Sequence, residues 1–261
     1  MMKSLHELIE LKGKTSIITG AAAGIGKATA LRFAEAGSNL ELIDIDKDGL
    51  NKTKKEAEKF GVTVNAHIVD LSDKRQIDSF WENLQTTPDI LINIAGIYPF
   101  KEMTEITEEF LDKIFKVNYY SVFWMSQHFI KKLLKEKKEG IIVNTSSIEA
   151  LIPFESNLAH YTSTKAAIIA LTRAIARDYG KYGIRANVVA PGGIKTPGTM
   201  KIAAKMGPKA LKKAKEYTSR VALGRFGEPD EVATVILFLA SDMSKYITGA
   251  IIPIDGGLTS M

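Results

Sequence analysis

Short apolar runs alternate along this chain with longer stretches whose apolar positions recur every three or four residues. The runs predict strands at 15–19, 39–44, 63–69, 90–96, 140–147, 184–190 and 250–254. The longer stretches predict helices. A short amphipathic lead-in covers 5–13, and an Ala-rich helix follows the first strand and stops at Gly37. Further helices are expected at 47–60, near 73–84, at 107–136, from Tyr161 through 165–181, and at 228–240, where Pro229 fits a first turn. Segment 197–222 is polar and lysine-rich with weak helical patterning. It follows a strand end, so it is expected to act as a lid. Apolar strands alternating with amphipathic helices predict an α/β fold: one doubly wound, parallel, seven-stranded sheet covered by helices on both faces. In such a sheet ligands bind beyond the carboxyl ends of the strands. That brings segments 20–26, 93–96, 145–147 and 191–196, with Asp44 and Asp70, to one edge.

Composition narrows the class. With 45% apolar and 25% charged residues, the chain reads as a soluble globular protein, and its 261 residues as one unit over 1–261. The absence of cysteine excludes disulfides and thiolate metal sites, and no metal is expected. Residues 1–7 show no apolar signal core, and the apolar run 235–240 is too short to cross a bilayer, so a cytoplasmic protein without a membrane partner is expected. The net charge of +5 comes from 35 basic and 30 acidic residues, with lysines spread along helices at 52–59, 131–138 and 201–215. No basic groove with interleaved aromatics is visible, and no nucleic-acid partner is expected.

Three local patterns carry chemistry. Gly20, Gly24 and Gly26 lie between a strand and a helix start, where glycines admit a pyrophosphate to the backbone and free N–H groups point at it. Their spacing, G-x-x-x-G-x-G, differs from the ordinary dinucleotide fingerprint. Asp44 ends the second strand, 18 positions after Gly26. A carboxylate there accepts both adenosine ribose hydroxyls and repels a 2′-phosphate, so NAD rather than NADP is expected; the alternative is a simple strand-end cap. Tyr161 and Lys165 lie four apart on one helix face. The ammonium, together with a second positive charge nearby, is expected to bring the phenol down from its ordinary value of about 10 by roughly 3 units, enough for proton exchange near neutrality. Asn118 sits in an otherwise apolar and aromatic helix stretch, where a buried amide needs partners.

Taken together and in order, these motifs resemble those of the short-chain dehydrogenase/reductase family over about residues 12–258. The matches are Thr19-Gly20-Ala-Ala-Ala-Gly24-Ile25-Gly26, Asp70, Asn93-Ile94-Ala95-Gly96, Asn118, Ser147, Tyr161-x-x-x-Lys165, Pro191-Gly192 and Asp255-Gly256-Gly257. The resemblance implies a Rossmann-like sheet of order 3-2-1-4-5-6-7, NAD as cofactor, a small-molecule substrate and a homotetramer. It implies Tyr161 as general acid/base, Lys165 on the nicotinamide ribose, Ser147 on the substrate oxygen and Asn118 on a relay water. Cofactor contacts are implied at Gly20, Gly24, Ile25, Gly26, Asp44, Asp70, Leu71, Asn93, Ala95, Gly96, Tyr161, Lys165, Pro191, Gly192, Ile194 and Thr196. Thr196 would hold the carboxamide. The activity implied is hydride transfer between a secondary alcohol and its carbonyl.

Two departures stand out. Ile94 replaces the family's second Asn. Ser147 lies 14 before Tyr161, one more than the commonest spacing, which leaves Ser146 as an alternative site serine. For the substrate, Ser147, Tyr161, Glu149 and Phe154 are the expected contacts, with His160, Tyr98, Phe100, Met200 and Met206 nearby in sequence or on the lid. The polar groups suit a sugar or polyol; the apolar ones suit a 3-oxoacyl chain or another carbonyl. A non-catalytic NAD-binding sensor is the remaining reading.

Overall fold

The computed structural model describes residues 2–260. Met1 and Met261, which the expected 1–261 unit includes, lie outside the described residues. Seven strands, β1 (Thr15–Thr19), β2 (Asn39–Asp44), β3 (Val64–Ile68), β4 (Ile90–Asn93), β5 (Gly140–Thr145), β6 (Ile184–Pro191) and β7 (Ile251–Ile254), form one sheet. All pairings are parallel, in the order β3-β2-β1-β4-β5-β6-β7. The helices are α1 (Leu5–Ile9), α2 (Gly24–Glu35), α3 (Lys47–Ala57), α4 (Lys74–Asn83), α5 (Glu108–Phe115), α6 (Ser121–Glu136), α7 (Ala159–Tyr179), α8 (Pro197–Met206), α9 (Lys209–Arg220) and α10 (Pro229–Ala240).

The strands are apolar at successive positions because both faces of the sheet are covered. The pleat sends Ile18, Leu42, Ile92 and Val143 to one side, against Phe33 of α2 and Ile236 of α10. It sends their neighbours Ile17, Ile43, Leu91 and Ile142 to the other, against Phe80 of α4, Phe129 of α6 and Ile175 of α7. The first pair of helices is also tied by charge: Arg32 donates from Nε and Nη2 to the two oxygens of Asp230, each at 2.7 Å.

Three expected elements differ in extent. β4 ends at Asn93 rather than Gly96, because the N–H groups of Ile94 and Ala95 leave the backbone ladder and donate to the side-chain Oγ1 of Thr19, at the end of neighbouring β1, at 3.0 and 3.2 Å. The helix expected over 107–136 is interrupted: between α5 and α6 the backbone forms a π-helical turn, Lys116–Tyr120, with Asn118 inside it. Segment 197–222 holds two helices, α8 and α9, separated at Gly207-Pro208. Among the described residues no helix is long and apolar enough to cross a membrane.

Candidate active site

The carboxyl ends of the strands converge as the alternation of elements predicts. β1 runs into the glycine loop, where Gly20 adopts φ +71° and a Cβ would sit 3.0 Å from the Ala95 backbone. At Gly26 a Cβ would lie 2.0 Å from Gly20 O, which no rearrangement of side chains relieves. Gly24 (φ +54°) packs on Thr196, its absent Cβ 3.2 Å from the threonine side chain. The N-cap of α2 is Ala23, which offers no side chain to the first N–H groups of the helix. A compact backbone cradle with uncapped helix N–H groups fits the pyrophosphate of a dinucleotide.

Asp44 stands beside this loop. Its Oδ2 accepts from Ala22 N at 3.0 Å and its Oδ1 from Asp46 N at 2.9 Å. The strand-end cap is therefore real, but a carboxylate has about four acceptor positions, and the two that remain suit ribose hydroxyls. Asp70 Oδ1 accepts from Ser72 N and Oγ, at 2.9 and 2.7 Å, and Leu71 is buried in the core. Ile194 is buried as well, and it lines the cavity described below together with Ile25, Gly96, Pro191, Gly192 and Thr196.

Two buried amides are held by the protein itself. Asn93 Nδ2 donates to Asn144 Oδ1 at 2.8 Å, and Asn144 Nδ2 to Thr172 Oγ1 at 2.9 Å, so the Asn93 amide pins β4 to β5 and α7. Only its backbone is left for a cofactor. Asn118 is fully buried; its Oδ1 accepts from Ile97 N and its Nδ2 donates to Ile97 O, both at 2.8 Å. The side chain thus clamps the turn after Gly96, and a relay water at this residue would fall to its backbone carbonyl.

α7 carries the central pair. Tyr161 lies in its first turn and Lys165 one turn on, with Nζ 5.6 Å from the Tyr161 ring centroid. The ammonium donates to Thr145 O at 2.8 Å. Ser146 Oγ donates to Lys165 O at 2.8 Å and is committed to α7. Ser147 begins the following turn, where its Oγ accepts from Glu149 N at 3.2 Å and lies beside Tyr161. Of the two serines, Ser147 is the one whose hydroxyl neighbours the phenol.

Burial sets the electrostatics of the chain alone. It pushes the Tyr161 phenol up to about 12, against the downward pull of the Ser147 hydroxyl, with Tyr98 and Glu149 adding to the rise. Burial also lowers Lys165 to about 8. The lysine lies over the ring and donates to Thr145 O, and in the chain alone desolvation outweighs the neighbouring cation.

Tyr161, Ser147 and Lys165 line one cavity of about 370 Å³. One wall is the loop after β5. Glu149, only 6% exposed, accepts from Phe154 N at 3.0 Å and Glu155 N at 3.1 Å, folding that loop around its carboxylate. The opposite wall comes from α8 and α9. Tyr217 on α9 stacks on Phe226 and meets Phe154 edge-on, and its hydroxyl accepts from Gly193 N at 2.5 Å. Lys213 pairs with Glu155 at 3.0 Å. The sequence reading missed Tyr217; its signal was that of the one aromatic in the lysine-rich segment 197–222. Met206 lines the cavity, whereas Met200 is 66% exposed and does not. His160 also lies outside it, with Nε2 donating to Pro99 O at 2.7 Å. A larger open groove of about 850 Å³ along β3 and α4 contains none of these residues.

Comparison with known proteins agrees with this geometry. The family model described as enoyl-(acyl carrier protein) reductase matches residues 20–259. A 3-oxoacyl-[acyl-carrier-protein] reductase FabG of Thermotoga maritima is 41% identical, over 96% of this chain and 99% of its own. An L-rhamnose 1-dehydrogenase (NAD(P)(+)) of Azotobacter vinelandii is 36% identical over 94% and 96%. A crystal structure from Agrobacterium tumefaciens, provisionally assigned as a 2-deoxy-D-gluconate 3-dehydrogenase and containing NADP, superposes with a TM-score of 0.88 at 28% identity, covering 97% and 99%. The chain belongs to the short-chain dehydrogenase/reductase family. It is an oxidoreductase of the alcohol/carbonyl class, and the family uses a nicotinamide cofactor.

Proposed function

We propose that the chain is an NAD-preferring oxidoreductase that interconverts a secondary alcohol, of the sugar or polyol class, and its carbonyl. The observation that carries this reading is the meeting of the Tyr161 phenol, the Ser147 hydroxyl and the buried Lys165 ammonium in one cavity beside the glycine loop. Tyr161 exchanges a proton with the substrate oxygen, and Ser147 holds that oxygen. Lys165 binds the nicotinamide ribose and supplies positive charge beside the ring. The nicotinamide, when bound, takes or gives the hydride. Gly20, Gly24 and Gly26 accommodate the pyrophosphate, Asp44 the adenosine ribose, and Thr196 the carboxamide. α8 and α9 act as the lid. They exclude water from the reacting atoms, docked on the substrate loop through Lys213–Glu155 and through Tyr217 on Gly193.

Turnover of a panel of aldoses, polyols, cyclic alcohols and 3-oxoacyl thioesters, followed by absorbance of the reduced cofactor, tests this. Activity on sugars or polyols supports it; activity confined to acyl substrates contradicts the substrate class. A 3-oxoacyl substrate is the second reading, favoured by the apolar lid wall of Ile202, Ala203, Met206 and Ala210 and by the name of the relative at 41% identity.

The NAD preference rests on Asp44. Asp44→Asn keeps an oxygen for Ala22 N but removes the charge that repels a 2′-phosphate. The ratio of kcat/KM for NAD over NADP should fall about tenfold or more. An unchanged ratio would assign the preference to another group. We also infer self-association to a homotetramer, to be read by light scattering.

A further inference from the structure

A sugar or polyol carries more than one oxygen, and the cavity offers a partner for a second. Tyr98 leaves β4 two positions after Gly96, and its ring centroid lies 6.0 Å from that of Tyr161, tilted by 57°. Both rings line the same cavity. The Tyr98 hydroxyl is shielded from solvent and finds no hydrogen-bond partner among the described residues. Burial pushes its phenol above the usual tyrosine range, so the hydroxyl stays protonated and remains a donor at physiological pH.

A desolvated hydroxyl left unpaired is destabilising, and packing does not require one, since a phenylalanine ring would fill the same space. The neighbouring polar groups are already committed. Glu149 holds the N–H groups of Phe154 and Glu155, and Ser147 faces Tyr161. Two other buried side-chain atoms lack partners. His160 Nδ1 belongs to a residue that does not line the cavity, and Thr145 Oγ1 sits at the strand end beside the Lys165 ammonium assigned to the ribose. The Tyr98 hydroxyl instead faces the lid: a Cβ on Gly198, in the first turn of α8, would lie 3.6 Å from it and 3.6 Å from Thr196 Oγ1. Glycine at 198 leaves room between the phenol and α8.

We propose that Tyr98 determines specificity by donating a hydrogen bond to a second substrate oxygen, so that the site takes diols, polyols or hydroxy-ketones in preference to substrates with a single oxygen. The inference rests on the alcohol/carbonyl reading of the Tyr161 site. In it, a substrate oxygen enters under α8 and is sealed against Tyr98 when the lid returns.

Tyr98→Phe removes one unpaired oxygen and keeps the ring, so a Tm equal to or above that of wild type verifies that the fold is retained. Wild type and variant are compared, with NAD and with NADP, on cyclohexanol against the three cyclohexanediols and on 2-deoxy-D-glucose against D-glucose. Wild type should favour the more hydroxylated member of at least one pair by about tenfold in kcat/KM. Tyr98→Phe should cancel that advantage mainly through KM and leave the less hydroxylated member unchanged. An equal loss on both members, no loss on either, or a wild type without preference would overturn the role of Tyr98 while leaving the oxidoreductase reading intact. A wild type that oxidises neither member of any pair would overturn the polyol reading and this inference together.

Discussion

Tyr161→Phe should reduce turnover by roughly 10²–10⁴-fold while leaving cofactor binding and Tm nearly unchanged. The substitution deletes one oxygen and keeps the ring that packs near Tyr98 and under Lys165. The cavity's neighbouring phenol, Tyr98, is no equivalent, because the Lys165 ammonium lies over the Tyr161 ring. Lys165 is bound to Thr145 O, Glu149 is held by two backbone N–H groups, and Ser147 is a weaker acid than a phenol. Turnover with reduced cofactor, together with cofactor binding by fluorescence, measures the two effects separately. Unchanged turnover would favour the non-catalytic sensor, for which the phenol has no chemical task.

Lys165→Met should act in opposite directions on activity and stability. Activity should fall by about 10²–10³-fold, through loss of the ribose contact and of positive charge beside the phenol. Stability of the cofactor-free chain at neutral pH should rise by roughly 1–3 kcal/mol, because a buried ammonium with a single carbonyl partner is replaced by an apolar side chain. Lys165 is only 4% exposed, and burial lowers it to about 8 from 10.5. Between those values the unfolded chain binds more protons than the folded one, so wild-type stability gains from this lysine as pH rises. The advantage of Lys165→Met should therefore be full below pH 8 and shrink toward pH 10.5. Denaturant melts of both proteins at pH 7 and pH 10 read it. An advantage that does not change with pH would mean that the lysine is not strained by burial.

The glycine loop, the strand positions and the Tyr161–Lys165 pair were legible in the sequence because each depends on neighbours close in the chain; the strand order followed only from the family resemblance. Periodicity marks strands and helices, glycine marks close backbone approach, and a four-residue spacing marks one helix face. What escaped depends on residues far apart. The π turn at Asn118 follows from its amide reaching Ile97, 21 positions away. The Asn93 amide pins the sheet because Asn144 on the adjacent strand accepts its proton. Glu149, expected near the substrate, does line the cavity, but its hold on the loop that forms the wall is visible only once Phe154 and Glu155 fold back over it. The rise of Tyr161 in the chain alone escaped for a similar reason: spacing reveals the nearby cation, whereas desolvation is set by all that surrounds the ring.

That shift locates the central claim. The chain alone holds Tyr161 as a neutral, buried phenol; Lys165 and the positive charge of the oxidised nicotinamide must together make it acidic enough to work. Ultraviolet titration of tyrosinate, taken as the difference between wild type and Tyr161→Phe with and without NAD⁺, measures this side chain alone. The account predicts an apparent value of about 12 in the free protein, falling toward about 7 with NAD⁺ bound. A value that stays near 12 under saturating NAD⁺ would contradict it.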